Sequence, residues 1–337
     1  KEFARRAEEI HNKSPGSPWY EEALFSLGNY YLLRDEHRTS RHYYELAARA
    51  FPQGKRGPLA HWKVCWRASL DRDPAAGSLL EEHIRLYPRS SRVAGAAYWL
   101  GRITEKSGDR QLARVIYSQL ASRYPHYYYA QQAGRRLAAL GETTDSEKPA
   151  EPSYFRSLPV PRRLAKKRSA QTERCLRRGR LLYELSLADL AERELLAADY
   201  RAADSHWVGL ELARQTQESG EFHRGLRYMK RYGFGYLRLP FDSMPREFWE
   251  ALFPMSWEKQ LRARARPHRL DPYLVAGLIR QESEFNPLAR SRAGALGLMQ
   301  VLPKTGEWLF DRLGIPNYSA RKLTQPDVSL RLGTFHL

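Results

Sequence analysis

Apolar and polar positions along the first 140 residues follow a helical period, and the pattern itself repeats. Phe25, Trp62 and Trp99 recur every 37 residues. Pro52, Pro88 and Pro125 follow at intervals of 36 and 37, each directly after an aromatic residue (Phe51, Tyr87, Tyr124). Leu27-Gly28 matches Leu100-Gly101, and Tyr44 matches Tyr117. Turn-rich breaks at 34–38, 71–77 and 107–109 divide each unit into two helices. A helix pair cannot bury its apolar face alone, so a period of this length predicts pairs stacked on one another. The recurring aromatics are then core residues rather than a binding stripe.

That period and helix–turn–helix layout, over residues 1–140, resemble tetratricopeptide-like repeats. The pattern fails over 141–171, where GETTDSEKPAEPS and the basic, Pro-interrupted PVPRRLAKKRS predict an extended connector. Helical periodicity resumes over 172–240. There Ser186 and Asp189 read as a capping box opening an apolar-striped helix. Glu218-Ser219-Gly220-Glu221 parallels the earlier Lys106-Ser107-Gly108-Asp109 turn, so the array is expected to continue through Tyr232. Residues 241–256 read as a short docking link, and 257–337 as a separate compact domain.

Within that domain Asp271 is a good N-cap and Pro272 suits the first helical position. The residues after them predict a helix of about three turns. Leu274, Leu278 and Glu282 fall at i, i+4 and i+8, flanked by Val275 and Ile279, which predicts that Glu282 continues the buried face. Glu284 should then point to solvent, in an i,i+4 pair with Arg280. A carboxyl group against an apolar stripe keeps its proton near neutrality, the state needed to protonate a leaving oxygen. The alternative is a helix-end residue that reaches water. Asn286-Pro287 stops the helix, Gly294 and Gly297 allow a tight returning loop, and Pro303 with Thr305 opens the next helix. Ser291 and Gln300 are polar groups this loop can bring toward Glu282. Read without a function, Ser291 is a turn residue, Gln300 a helix cap and Met299 a gap-filler.

Glu282-Ser283, the run Ser291…Gly294-Ala295…Gly297-Leu298-Met299-Gln300, and Pro303 with Thr305 together resemble the catalytic domain of the soluble lytic murein transglycosylases, family 1. The resemblance covers Trp257 to Leu337 by motif and the helical N-terminal part by architecture. It implies an all-α fold, a helical superhelix followed by a lysozyme-like domain. It implies cleavage of the β-1,4 bond between MurNAc and GlcNAc in peptidoglycan, with a 1,6-anhydro-MurNAc end as product. Under it Glu282 is the single catalytic acid and base, Ser291 contacts the substrate's N-acetyl group, and Met299 and Gln300 line the sugar cleft. The N-acetyl carbonyl would replace a second carboxylate, a known exception to the two-carboxylate rule. No water is consumed, and no metal or organic cofactor is required. A hydrolase using Glu284 or Glu307 as partner acid is the competing mechanism. A repeat scaffold with a degenerate, glycan-binding domain is the competing function. Family members carry an alanine-tyrosine-asparagine run beyond the Gly-Leu-Met-Gln segment. The sequence ends at Leu337, within what reads as the preceding helix, where His336 stands at a position commonly tyrosine. The expectation is therefore a fragment of a longer protein, with an incomplete catalytic domain. The resemblance further implies a periplasmic or cell-envelope location, with peptidoglycan strands as partner and envelope proteins docking on the repeats.

Composition changes this picture little. No stretch approaches the ~18 apolar residues of a membrane span, and mean hydropathy is −0.66. Cys65 and Cys175 lie in different segments and read as small buried residues, not as a disulfide framework. The net charge of +18 raises nucleic acid as a partner. The clusters at 162–168, 174–180 and 262–269 carry no recognition motif and read as solvated helix faces, suited at most to anionic cell-wall strands.

Overall fold

A computed structural model describes residues 2–141, 150–159 and 164–337. The described residues are helical, joined by turns and two isolated β-bridges, with no strand among them. The chain divides into two compact units, 1–161 and 162–337.

The first unit opens with α1 (Glu2–Lys13). Three helix pairs follow: α2 (Pro18–Leu32) with α3 (His37–Ala50), α4 (Gly57–Leu70) with α5 (Ala76–Leu86), and α6 (Val93–Lys106) with α7 (Arg110–Arg123). The unit ends with α8 (Tyr128–Leu140) and the single turn α9 (Ser153–Arg156). Each long helix packs on its successor, as expected of stacked pairs. Every break read from the sequence falls between the two helices of a pair.

Two devices recur at the repeat spacing. The aromatic before each proline ends its helix in nearly one conformation: φ/ψ is −130/59 at Phe51, −127/53 at Tyr87 and −136/49 at Tyr124. Proline excludes the residue before it from the α region, so the helix stops there. Within a pair, a glycine on the first helix admits a tyrosine from the second. A Cβ on Gly28 would lie 2.5 Å from the Tyr44 ring, and one on Gly101 would lie 2.5 Å from that of Tyr117. Tyr44 and Tyr117 are buried, and each hydroxyl finds a partner at 2.8 Å, Asn29 Oδ1 and a Glu105 oxygen respectively. Phe25 and Trp62 are buried and Trp99 is half-buried, which bears out their reading as core. A further contact joins residues far apart in sequence. The buried Glu21 carboxylate accepts from the backbone N–H groups of Lys55 (3.2 Å), Arg56 (2.6 Å) and Gly57 (3.1 Å), placing negative charge at the start of α4.

The connector expected over 141–171 is corrected in part. Phe155 and Leu158 are buried in the core of the first unit beside Ile116, Leu120 and Tyr124, so this stretch is anchored by its apolar side chains. Residues 142–149 and 160–163, which hold most of the Pro- and charge-rich sequence, lie outside the described residues.

The second unit begins with two more pairs, α10 (Ala170–Glu184) with α11 (Ala188–Leu196), and α12 (His206–Glu218) with α13 (Phe222–Tyr232). The close-approach device returns: a Cβ on Gly179 would meet Leu195, and one on Gly209 would meet Tyr232, each at 2.7 Å. The paired turns also match, since Gly108 and Gly220 both adopt positive φ (97° and 78°). Ser186 is not a cap. Its φ is +61°, α11 starts two residues later, and no side-chain hydrogen bond closes that N-terminus. The docking link is a structured element, α14 (Arg246–Leu252), whose Phe248 and Leu252 are fully buried with Met229 of α13. It ends at Phe253-Pro254 with φ/ψ of −129/62, the same stop as in the first unit.

The remaining helices are α15 (Glu258–Ala265), α16 (Pro272–Glu282), α17 (Pro303–Arg312) and α18 (Pro326–His336). They enclose one core of Leu261, Val275, Ile279, Phe285, Leu298, Leu309, Phe310, Leu330 and Leu332. Each basic cluster contains arginines held in ion pairs: Arg168 with Glu173, Arg178 with Glu194, Arg180 with Glu211, Arg262 with Glu258 and Arg264 with Asp327. Among the described residues no helix is long and apolar enough to cross a membrane. Cys65 and Cys175 are both buried and unbridged.

The glycine–tyrosine approach gives a stability test. Gly101→Ala forces a methyl group into a ring already held by the Glu105 hydrogen bond and should cost about 1–3 kcal/mol in urea unfolding. Gly134→Ala on α8, where an added Cβ meets open space, should instead stabilise by about 0.4–1 kcal/mol. Equal responses at the two positions would refute the packing role assigned to Gly101.

Candidate active site

The helix carrying Glu282 forms as its sequence dictates. The Asp271 side chain accepts the Tyr273 N–H at 2.8 Å, and Pro272 occupies the first turn. The buried stripe, however, is one residue round from the expected one. Val275, Ala276, Ile279 and Ser283 are buried, while Leu274 is 68% exposed and Glu282 is exposed. Both stripes offer apolar residues, but they end differently. The first would bury a carboxylate, whereas the second buries a hydroxyl that can be satisfied. Ser283 Oγ lies 2.8 Å from Leu298 O and 3.2 Å from Ile279 O. This bond ties the end of α16 to the Gly-Leu-Met-Gln segment. Glu282 is thus placed on the solvent side of that junction, and among the described residues its carboxylate has no hydrogen-bond or ion-pair partner.

The expected Arg280–Glu284 pair is absent because the helix ends first. Glu284 and Phe285 take left-handed φ values of 54° and 63°, which breaks the i,i+4 geometry. Arg280 donates to Leu252 O (2.9 Å) and Tyr236 Oη (2.7 Å). Glu284 is half-buried and paired with Arg227 (3.0 Å) and Lys230, both on α13. Partial burial works against its charge, but the hydrogen bonds from Lys230 and Arg227 prevail and hold its carboxyl group below the usual carboxylate range. It is held as a carboxylate. Glu307 lies on α17 and is exposed.

After α16 the chain forms a compact pair of loops. Asn286 Oδ1 accepts the Leu288 N–H at 3.0 Å, closing an Asx turn. Ser291 closes the next loop: its N–H donates to Ala295 O and its Oγ accepts the Ala295 N–H, both at 3.0 Å. Leu296 and Val301 exchange backbone bonds of 3.0 Å around the Gly-Leu-Met-Gln turn. Gly297 has φ of +79° and passes so near α18's approach that a Cβ would lie 2.0 Å from Leu323 O. Gln300 caps no helix. It adopts φ of +50°, and its Nε2 donates to Gly297 O (2.9 Å) and Ala289 O (3.2 Å). Met299 is buried, with its sulfur against Gly333 and its N–H donating to Ser329 Oγ at 3.2 Å.

Ser291, Gln300 and the end of α16 are therefore joined through one hydrogen-bonded loop system, in which Met299 is the inward anchor. Sequence reasoning missed Ser329 and Gly333. They stand one turn apart on α18, and two small residues at that spacing are the available signal of a close-packed face. The cations holding Glu284 come from α13, over 50 residues upstream, and carried no local signal. A concavity of about 590 Å³ in this unit, lined by Arg180, Trp207, Glu211, Arg214, Phe222 and Trp257, includes none of the four predicted site residues.

Residues 260–337 match the family described as Transglycosylase SLT domain. The chain is similar to a soluble lytic murein transglycosylase of Salmonella typhimurium, 26% identical over 142 residues, covering 40% of this chain and 21% of the relative. It is also similar to membrane-bound lytic murein transglycosylase C of Actinobacillus pleuropneumoniae, 39% identical over 79 residues, 23% of this chain and 22% of the relative. The matched stretches thus span about a fifth of these curated relatives. Among solved structures, the 70 kDa soluble lytic transglycosylase of Escherichia coli aligns with a TM-score of 0.50 at 18% identity, covering 94% of this chain and 51% of that one. A lytic transglycosylase of Pseudomonas aeruginosa, solved as an inactive glutamate-to-glutamine mutant, aligns with a TM-score of 0.51 at 18% identity, covering 98% and 60%. At that identity the likeness is one of fold, and the fold is all-α.

Two substitutions test the local geometry. Ser283→Ala leaves the buried Leu298 carbonyl without its donor and should cost about 1–3 kcal/mol of stability. Glu284, with a folded pKa below the unfolded value of ~4.3, contributes stability that is fully present above that value and lost as pH falls through the folded one. Glu284→Gln should therefore be destabilising at neutral pH, with the difference from wild type shrinking in acid. A difference independent of pH would contradict the ion-pair assignment.

Proposed function

Since residues 260–337 match the transglycosylase SLT domain family, we propose that the protein is a lytic transglycosylase that cleaves the β-1,4 bond between MurNAc and GlcNAc in peptidoglycan, with Glu282 as general acid and then base. The observation that carries the reading is the contrast between neighbouring acids. Glu284 is bound by two cations and held ionised, whereas Glu282 is accessible and unpaired among the described residues. Two cations that hold Glu284 ionised oppose its carrying a proton to give to a leaving oxygen, a constraint that the unpaired Glu282 does not carry. The inactive glutamate-to-glutamine mutant of the Pseudomonas aeruginosa enzyme supports a glutamate-dependent reaction in this fold.

In the proposed reaction Glu282 protonates the glycosidic oxygen as the bond breaks, and the substrate's N-acetyl oxygen stabilises the anomeric carbon. Glu282, now a carboxylate, accepts the proton of the C6 hydroxyl as that oxygen closes the 1,6-anhydro ring. Ser291 suits the N-acetyl group, because its oxygen accepts the Ala295 N–H and its own proton is left to donate. Gln300 uses its amide nitrogen on two backbone carbonyls and offers Oε1 as an acceptor for a sugar hydroxyl. Met299 supports the cleft from beneath. Leu274 and half-buried Leu278 lie in line with Glu282 along the outer face of α16 and offer apolar contact to a sugar ring. The relatives are named as murein transglycosylases, soluble and membrane-bound, and that supports our assignment of the protein to the periplasmic side of the envelope.

One observation favours a second reading, a glycan-binding domain on a repeat scaffold. Glu282 is exposed, and acid catalysis calls for a group shielded from bulk water when the bond breaks. Digestion of purified peptidoglycan separates the two. Wild type should release products ending in 1,6-anhydro-MurNAc, and Glu282→Gln should reduce their rate by about 10²–10⁴-fold while retaining binding to sacculi. Reducing ends in place of anhydro ends would make the enzyme a hydrolase, and binding with no products from wild type would establish the scaffold reading.

A further inference from the structure

The first unit contains a cluster that the glycan chemistry leaves unused. His61 and Cys65 stand one turn apart on α4, and His83 faces them from α5. All three are buried, Cys65 and His83 completely. His61 Nδ1 lies 3.3 Å from Cys65 Sγ and 3.3 Å from His83 Nδ1, and the three potential ligand atoms all lie within 4.8 Å of one another.

The repeat shows how unusual this is. Cys65 occupies the position that is Gly28 one pair earlier and Gly101 one pair later. Four residues before those glycines stand Leu24 and Ala97, where this pair has His61. Four residues before the aromatic caps Phe51 and Tyr124 stand Ala47 and Leu120, where this pair has His83. Leu24, Ala47, Ala97 and Leu120 are all buried core. One helix pair has thus exchanged three apolar core positions for two imidazoles and a thiol that converge on a point. Three polar groups in a core cost stability unless something satisfies them together. The satisfaction visible here is partial: Cys65 Sγ donates to Leu79 O (3.2 Å), and His83 Nε2 has no partner among the described residues.

We infer that His61, Cys65 and His83 form a binding site for one zinc-class transition-metal ion inside the helical repeat. Zinc–nitrogen bonds of about 2.0–2.1 Å and a zinc–sulfur bond of about 2.3 Å give tetrahedral ligand–ligand edges of roughly 3.3–3.6 Å, which the two 3.3 Å separations approach before any ion is added. Thiolate with imidazole is also the donor set that selects zinc or copper over calcium and magnesium. Glu82 supplies the outer support: its carboxylate lies 3.5 Å from His61 Nε2, so that His61 binds through Nδ1 while its other nitrogen donates to the carboxylate. The Tyr87 ring packs on both imidazoles, at 5.5 and 5.3 Å between centroids, and walls one side of the site, whose fourth tetrahedral position would fall to a water molecule. Binding converts the Cys65 thiol to thiolate and releases its proton to solvent. The role is structural, clamping α4 to α5 in a pair that carries polar groups at three core positions where its neighbours carry apolar residues or glycine.

The test uses the whole chain, stripped of metal by chelation and desalted. Cobalt(II) should bind at one ion per chain and produce a thiolate-to-cobalt charge-transfer band in the near ultraviolet. Zinc(II) should displace it and raise the thermal midpoint. Cys65→Ala, which keeps the pair's packing, should retain helical circular dichroism, lose the band and weaken zinc binding by at least about 100-fold. Glu82→Gln should keep the band and weaken binding about 10–100-fold. A folded wild type that shows no charge-transfer band, or zinc affinity equal in wild type and Cys65→Ala, would overturn the assignment. The cobalt spectrum of the wild type decides this even if the variant does not fold.

Discussion

The hydroxyl of Ser283 decides which way α16 faces, and the candidate site follows from that choice. Two stripes on this helix could have been buried. The one chosen ends in Ser283, whose hydroxyl reaches Leu298 O at 2.8 Å, and this sets Glu282 on the outer side. The same bond brings the Gly-Leu-Met-Gln turn against the helix end. Gly297 can then press onto Leu323 O, and Met299 can fill the space above Gly333. Each of these contacts presupposes the others, so the segment from Pro272 to Gly333 behaves as one packed object. Left-handed backbone at Glu284, Phe285 and Gln300 concentrates strain at this junction. Strain of that kind persists only where surrounding contacts over-determine the backbone.

A related economy governs the repeats. Gly28, Gly101, Gly179 and Gly209 each admit a large side chain from the partner helix, so close approach rather than side-chain bulk defines the pairing. The α4–α5 pair departs from this rule, with Cys65 at the glycine position and two histidines in its core. A stacked array tolerates such a departure because each pair contacts only its neighbours, and local loss of apolar burial stays local. It also means that whatever offsets the loss must act within the same pair. The convergence of three ligand atoms there, with Glu82 behind His61, has that local character.

What could be read from the sequence divides along physical lines. Backbone-dictated features were legible: the aromatic–proline stops, the breaks within helix pairs, and the Asp271-Pro272 start of α16. Each depends on residues adjacent in the chain. The Ser186 cap failed because a capping pattern needs the residue to enter β-type backbone, and Ser186 instead sits at positive φ in a turn. The facing of α16 was misread because Leu274 and Leu278 look as apolar as Val275 and Ile279. The tie came down to whether Glu282 or Ser283 could be satisfied inside. Long-range polar contacts left no trace in local patterning. Glu21 on the start of α4 and Lys230 with Arg227 on Glu284 join residues more than 30 positions apart. The Glu282–Ser291–Gln300 set was legible as a motif, yet its spacing could not show that Ser291 and Gln300 spend part of their bonding on the loop itself.

In the proposed reaction an exposed Glu282 changes where the energy for acid catalysis comes from. A carboxyl group already buried in the resting protein would carry its desolvation cost as lost fold stability. In the proposed reaction Glu282 starts on the surface, so that cost falls on the complex and polymer binding along the outer face of α16 would supply it. The fold is then free to bury Ser283 and hold Glu284 as a fixed anion, both of which stabilise the junction. Under that proposal, contacts distant from the scissile bond would take on a catalytic role by providing the free energy that dries the acid as the bond breaks. A long glycan strand can make many such contacts, whereas a single disaccharide cannot.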